Sequence, residues 1–304
     1  MSPDASWNFA PGILIGLAVY VGVYVWRWRD CRVGSEPHPP SRWRLASFLL
    51  GVTALFAALV SPIDILGEQI ISMHMVQHVL LLDIAPVLII LGFTKVLLRP
   101  ATRRIHWVER RVGFIASPLF AILFYTLAMW FWHVPALYDA AAENSTVHLA
   151  EHLTFGTAGF LYWWHLLSPV STRLRREGMT PIVYMASTKA TVGLLGIAMT
   201  FAPVAVYDYY KEQPEYWGLS PLSDQAMAGA IMAIEQALVM GIAIAYLFMR
   251  MLDESEKRDQ REERYGTPEE RAAKVQAAPG PHPGVIEVPK GQPAPARPGE
   301  GPAA

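Results

Sequence analysis

The chain has 304 residues, 53% of them hydrophobic and 17% charged, against roughly 25% charged in a soluble domain. That balance excludes an ordinary soluble protein and points to a membrane protein. The formal net charge of −1 carries no signal of a partner by itself, and no nucleic-acid partner is expected. The single cysteine, Cys31, excludes an internal disulfide and any Cys-x-x-Cys metal or redox motif.

Seven apolar stretches follow one another over 10–28, 44–61, 70–98, 113–133, 146–168, 181–206 and 224–251. Each is longer than the 10–14 residues of a buried soluble helix, and a span needs about 20. None alternates with the strand period of two. The expected fold is all-α, a polytopic membrane bundle of seven transmembrane helices. The first stretch has no basic flank of a cleaved signal peptide and is long enough to span.

Basic residues alternate between the loops. Arg27, Arg29, Arg32, Arg42 and Arg44 follow the first stretch, and Arg99, Arg103, Arg104, Arg110 and Arg111 follow the third. Arg173, Arg175 and Arg176 follow the fifth, and Arg250, Lys257, Arg258 and Arg261 follow the seventh. The loops 62–69, 134–145 and 207–223 hold one basic residue, Lys211. The positive-inside rule then places the N-terminus outside and the C-terminus in the cytoplasm of a chain embedded in a lipid bilayer. Cys31, beside Arg29 and Arg32, is expected on the reducing side as an incidental thiol.

Two domains are expected: a seven-helix transmembrane domain over 1–252 and a cytoplasmic tail over 253–304. Residues 253–275 are dense in Glu, Arg and Lys and can extend the seventh helix. Residues 278–304 are rich in Pro, Gly and Ala and are expected to be disordered.

Five of the nine histidines fall at outer ends of the predicted spans. His74 and His78 open the third, His133 closes the fourth, and His148 and His152 open the fifth. Residues i and i+4 share a helix face one turn apart, so each pair can chelate one ion. Together the five can form one metal site or two adjacent ones. Imidazole suits Cu, Zn, Fe and Ni, and copper stands highest in the divalent affinity order. Met73, Met75, Met199 and Met227 lie near this face and read first as apolar filler. His38, His106, His165 and His282 read as structural or solvated. Glu151, in HLAEH, does not fit the His-Glu-x-x-His order of zinc proteases. It reads equally as an acceptor that orients an imidazole or as a charge in the first helical turns.

Three ionisable residues, Asp83, Lys189 and Glu235, lie inside the third, sixth and seventh spans. At about 1.5 Å per residue, Asp83 is roughly 18 Å and Glu235 roughly 15 Å from the outer ends. Such groups face the bundle interior or water. An ion pair or triad that ties three helices together is the first reading, and a polar path for an ion or proton is the second. Pro86 should kink the third helix near Asp83.

The segments HMVQHVLLLDIAPVLIILG, WFWHVPALYDAAAENSTVHLAEHLTFGTAGFLYWW, LLGIAMTFAP and GLSPLSDQAMAGAIM occur in this order. On them the chain, over residues 10–251, resembles the CtaG-type family of bacterial cytochrome c oxidase assembly proteins. That family consists of polytopic plasma-membrane proteins implicated in maturing the copper centres of haem–copper oxidases. By resemblance, His74, His78, His133, His148 and His152 occupy its histidine positions, and Asp224 and Gln225 match its polar pair at the start of the last span. After GAIM, where relatives often continue with Trp and Pro, this chain has Ala233, Ile234, Glu235 and Gln236.

Four functions follow from these residues. The first is a non-enzymatic factor that holds copper at the outer face and passes it to a haem–copper oxidase subunit or an extracytoplasmic copper chaperone. The second is a b-type haem protein with axial histidines. The third is a zinc-dependent membrane hydrolase with Glu143, Glu151 or Asp139 as base. The fourth is a structural oxidase-associated subunit without metal.

Overall fold

The computed structural model describes residues 1–34, 38–170, 180–266, 269–270 and 273. The tail 278–304, His282 and the basic residues Arg173, Arg175 and Arg176 lie outside the described residues. The chain divides into two units, Met1–Met251 and Leu252–Ala304. Among the described residues every regular element is helical.

Helices α1 (Pro11–Val33) and α2 (Arg42–Leu59) are followed by a short α3 (Pro62–Gly67). Helix α4 spans Ile71–Gly92, and α5 covers Lys95–Val112. Helices α6 (Pro118–Trp132), α7 (Pro135–Glu143) and α8 (Ser145–Leu167) come next. The series ends with α9 (Thr180–Thr200), a single turn α10 (Asp208–Lys211) and α11 (Pro221–Tyr265). The beginnings are locally encoded. Ser41, Ser61, Thr94, Ser117 and Asn144 each accept a backbone N–H in the first turn of the next helix, which satisfies donors that the helix itself leaves unpaired.

Four stretches differ from the hydropathy reading. The stretch 70–98 ends at Gly92, because Phe93 and Thr94 are extended and the Thr94 hydroxyl caps a new helix. That helix, α5, occupies what read as a basic loop; its many arginines make it amphipathic rather than apolar. Residues 134–145 and 62–69, read as outer loops, contain α7 and α3, each started by a proline at the first helical turn. The sixth stretch, expected to reach residue 206, stops at Thr200.

Five helices, α1, α2, α4, α9 and α11, are long and apolar enough to cross a membrane. The stretch Lys95–Ala116 and α6, bent by 58° between them, pass the same test only as a pair, which makes a sixth candidate. Helix α8 has 23 residues but is diluted by three histidines and Glu151. Large apolar side chains stay exposed along α1 (Ile15, Val19, Val23) and α11 (Ile234, Leu238, Ile242). Contiguous apolar surface of this kind needs a partner or lipid, and several spanning helices make lipid the natural one.

The core of the first unit forms where α4 meets α8. Residues Leu80–Ile84 of α4 make a π-helical turn, and the Ala85 N–H reaches back to the Leu80 carbonyl. Pro86 follows. It has no N–H to give the Leu82 carbonyl four residues earlier, so the kink expected there takes the form of this widened turn. Gly159 of α8 lies against that carbonyl so closely that a Cβ would stand 2.1 Å from it. On the other side of α4, Gly51 of α2 faces Ile89 and Ala85, and Gly92 faces Phe48. Small residues that let helix backbones touch are how apolar helices associate without a hydrophobic drive.

The π turn presents Asp83 to the middle of the bundle. Lys189 of α9 pairs with its Oδ1 at 2.7 Å. The Tyr125 hydroxyl of α6 donates to Oδ2 at 2.8 Å and the Trp163 indole of α8 to Oδ1 at 2.7 Å. The Gln236 amide of α11 approaches at 3.4 Å and also binds Glu235. Lys189 Nζ further donates to the Tyr125 hydroxyl at 2.8 Å and lies over the rings of Tyr125 and Trp163. The three charges read from the sequence thus meet, with Glu235 joined through Gln236. The sequence reading missed Tyr125, Trp163 and Gln236. Removing one partner of a buried pair costs about 3–5 kcal/mol, whereas replacing both can be neutral. Lys189→Met is therefore expected to destabilise the protein by about 3 kcal/mol or more. Adding Asp83→Asn to Lys189→Met should restore most of that loss. Thermal unfolding in detergent checks the cycle, and additive losses would contradict a coupled pair.

Candidate functional site

The i, i+4 pairs face each other across α4 and α8. His74 and His78 project from the first two turns of α4, and His148, Glu151 and His152 share one face of α8. His133 ends α6. Ring centroids lie 4.2 Å apart for His74 and His78, and 4.1 Å for His148 and His152. Across the helices, His74 stands 5.3 Å from His148, and His78 stands 6.3 Å from His152 and 6.0 Å from His133. The structure brings all five predicted histidines into one cluster.

Glu151 sits at its centre. It is fully buried at 0% exposure. Its carboxylate oxygens stand 3.6 Å from His74 Nε2 and 3.5 Å from His78 Nε2. Neither oxygen has a hydrogen-bond partner among the described residues, nor do the Nε2 atoms of His74, His78, His133, His148 and His152. His78 Nδ1 is unpartnered as well; buried polar atoms are nearly always satisfied, so one cluster of eight orphaned atoms needs a cause. His133 shows how its ring is set. Its Nδ1 lies 2.7 Å from the Met129 carbonyl; a carbonyl can only accept, so Nδ1 carries the proton and Nε2 keeps its lone pair. This is the arrangement of a metal-binding imidazole whose other nitrogen is held by a carbonyl.

His74, His78 and His133 are buried, while His148 and His152 are half-buried. The Nε2 atoms of all five are nevertheless buried. Tyr138 of α7 covers one side of the cluster, with its ring 5.1 Å from His74 and 5.9 Å from His133. Tyr207 packs against Tyr138 with ring centroids 4.1 Å apart and donates to the His133 carbonyl, and Tyr210 donates to the Gly67 carbonyl at 2.6 Å. Burial pushes both phenols above their ordinary pKa, so they stay neutral covers. These three tyrosines were absent from the sequence reading; their only signal was aromatic density in stretches that read as outer loops. Asp139 does not face the cluster as a base. It accepts the N–H groups of Asp208 and Tyr209 and starts α10.

The remaining polar candidates hold the frame. Asp224 accepts the N–H groups of Ile71 and Ser72 at 2.8 and 3.1 Å, capping α4 from α11 at the turn that carries His74. Gln225 accepts the Val206 N–H at 2.7 Å and donates to the Val204 carbonyl, which fixes the chain leading to Tyr207. Between the two histidines of α4, Gln77 donates to Asp64 of α3 at 2.7 Å and to the Ala58 carbonyl at 2.8 Å. Burial pushes the Asp64 carboxyl above its usual range, while hydrogen bonds from Asn8 and Gln77 act against the rise. Of the methionines, Met75 and Met199 are core residues and Met227 is exposed. His165 is buried at the far end of α8, and His106 lies beside Glu109. Cys31 is a buried free thiol.

Two uncharacterised proteins, one of Mycobacterium bovis and one of Mycobacterium tuberculosis, are each 24% identical to this chain over 205 residues, 62% of the chain and 31% of the relative. An uncharacterised protein of Mycobacterium leprae is 22% identical over 275 residues, 85% of the chain and 41% of the relative. The chain thus spans about a third of the length of the first two relatives and about two fifths of the third. No solved structure matches it. The model of the cytochrome c oxidase caa3 assembly factor family (Caa3_CtaG) matches residues 20–254, and the chain belongs to that family.

Proposed function

We propose that this protein is a non-enzymatic assembly factor that holds copper as cargo at the outer face of a bacterial plasma membrane and passes it on. The receiver is a haem–copper oxidase subunit or an extracytoplasmic copper chaperone. The observation that carries this reading is the set of five convergent imidazoles whose Nε2 atoms have no protein partner. Imidazole nitrogen is a good copper donor, and copper stands highest among the divalent ions. His148 and His152 are the two of the five whose residues are partly exposed, although their Nε2 atoms are buried, so transfer to a receiver requires this side of the cluster to open.

The haem alternative is poorly served. Neighbouring rings with centroids 4.1–6.4 Å apart leave room for ions and none for a macrocycle between them. Zinc would accept the same donors. A hydrolase, however, needs a general base beside an open metal position, and Glu151 lies within the donor set itself.

In this reading α8, with its polar residues turned inward, and the bent α6 complete a seven-span bundle with the N-terminus outside. The alternating loop arginines support that direction. A Cys31→Ala chain with Glu68→Cys should react with a membrane-impermeant maleimide in intact cells, and one with Lys257→Cys should react only after lysis. The opposite pattern would overturn the orientation.

Elemental analysis of the purified full chain tests the copper reading. Wild type is expected to retain stoichiometric copper after desalting. Loss of one supporting partner of a metal ligand typically costs about 10–100-fold in affinity. The double variants His74→Ala/His78→Ala and His148→Ala/His152→Ala, which remove ligands themselves, should each weaken binding by more than about 100-fold. Copper binding that survives both would contradict it.

A further inference from the structure

Glu151 is what a single ion leaves unexplained. A carboxylate at 0% exposure with no hydrogen-bond donor on either oxygen is a large electrostatic penalty unless positive charge sits beside it. Its two oxygens are also divided. Oε2 is the one near His74, and Oε1 is the one near His78. His148 joins His74 and Glu151 in one group of donors, and His152 joins His78 and Glu151 in a second. Within each group the donor atoms lie within 4.8 Å of one another.

The cluster is therefore a ladder with two rungs. His74 and His148 form one rung, and His78 and His152 form the other. Along α4 and along α8 the successive rings are 4.2 and 4.1 Å apart. That repeat matches the about 3.5–4 Å separation of paired metal ions in two-metal sites. A carboxylate set between the rungs, with one oxygen toward each, has the form of a bridge. Nitrogen and carboxylate oxygen are donors for divalent ions rather than for the softer Cu(I), which prefers sulfur.

We propose that the site takes two divalent metal ions side by side, bridged by the Glu151 carboxylate. One ion binds His74, His148 and Oε2. The other binds His78, His152 and Oε1, with His133 next to His78 as its further nitrogen donor. The proposal rests on the copper reading above for its cargo, and on geometry alone for the number of ions. It also assigns Glu151 a part that neither an orienting acceptor nor a helix-end charge describes: it is a ligand shared by both positions.

The test uses the purified full chain loaded with Cu(II) chloride and desalted. Elemental analysis should give two copper ions per chain. Electron paramagnetic resonance should show a coupled pair, with reduced intensity and a half-field transition. Glu151→Gln should bind at most one copper and lose the coupling. His148→Ala and His152→Ala should each keep one uncoupled copper, and these two variants carry the test if Glu151→Gln fails to fold. One uncoupled copper per wild-type chain overturns the bridged pair and leaves the copper-holding reading standing. A coupled pair that persists in Glu151→Gln overturns the bridge. No bound copper at all overturns both.

Discussion

The π turn at Leu80–Ile84 with Asp83 at its centre is the constraint on which the rest of the bundle depends. Pro86 withholds the N–H that the Leu82 carbonyl would take in a regular helix, and the widened turn that results aims Asp83 inward. Once that carboxylate is buried it must be satisfied. Lys189, Tyr125, Trp163 and Gln236 meet the need from α9, α6, α8 and α11. One residue on α4 thus sets the relative places of four other helices. Gly159, pressed against the Leu82 carbonyl, brings α8 against the same turn. The register of α8 on α4 is therefore fixed just below His78, and the histidine rungs above inherit it.

The two buried carboxylates of this region make a useful contrast. Asp83 and Glu151 are both inaccessible. Asp83 is surrounded by donors and by one lysine ammonium, while Glu151 is surrounded by imidazoles whose nearest nitrogens stop at 3.5 and 3.6 Å. The same fold thus satisfies one buried carboxylate fully and leaves the other without a donor among the described residues. The caps around it, Asp224 on the start of α4 and Gln225 on the approach to Tyr207, hold the imidazoles in place without competing for their nitrogens. Rigidity of this kind is what a metal-binding constellation requires.

Much of this was legible in the sequence because the signals are local. Apolar length marked the spanning helices, and the i, i+4 spacing put His74 beside His78 and His148 beside His152 before any coordinates. The family resemblance rested on those same segments, and the family match over 20–254 agrees with it. The illegible parts are tertiary. Glu151 is one residue from His152 in sequence, yet nothing along α8 says that it stands between two histidines of another helix. Tyr125, Trp163 and Gln236 look like any apolar or interfacial residue until Asp83 is placed among them. Hydropathy also joined α4 to α5 across Phe93 and Thr94, since a two-residue extended break carries little weight in a long apolar average.

X-ray absorption at the copper edge of the copper-loaded full chain tests the histidine–glutamate cluster as the metal site most directly. The expected spectrum has a nitrogen and oxygen first shell at about 2.0–2.2 Å, outer-shell scattering from imidazole rings and no sulfur neighbour. A first shell dominated by sulfur at about 2.3 Å, or a spectrum unchanged in His74→Ala/His78→Ala, would place copper elsewhere and contradict it.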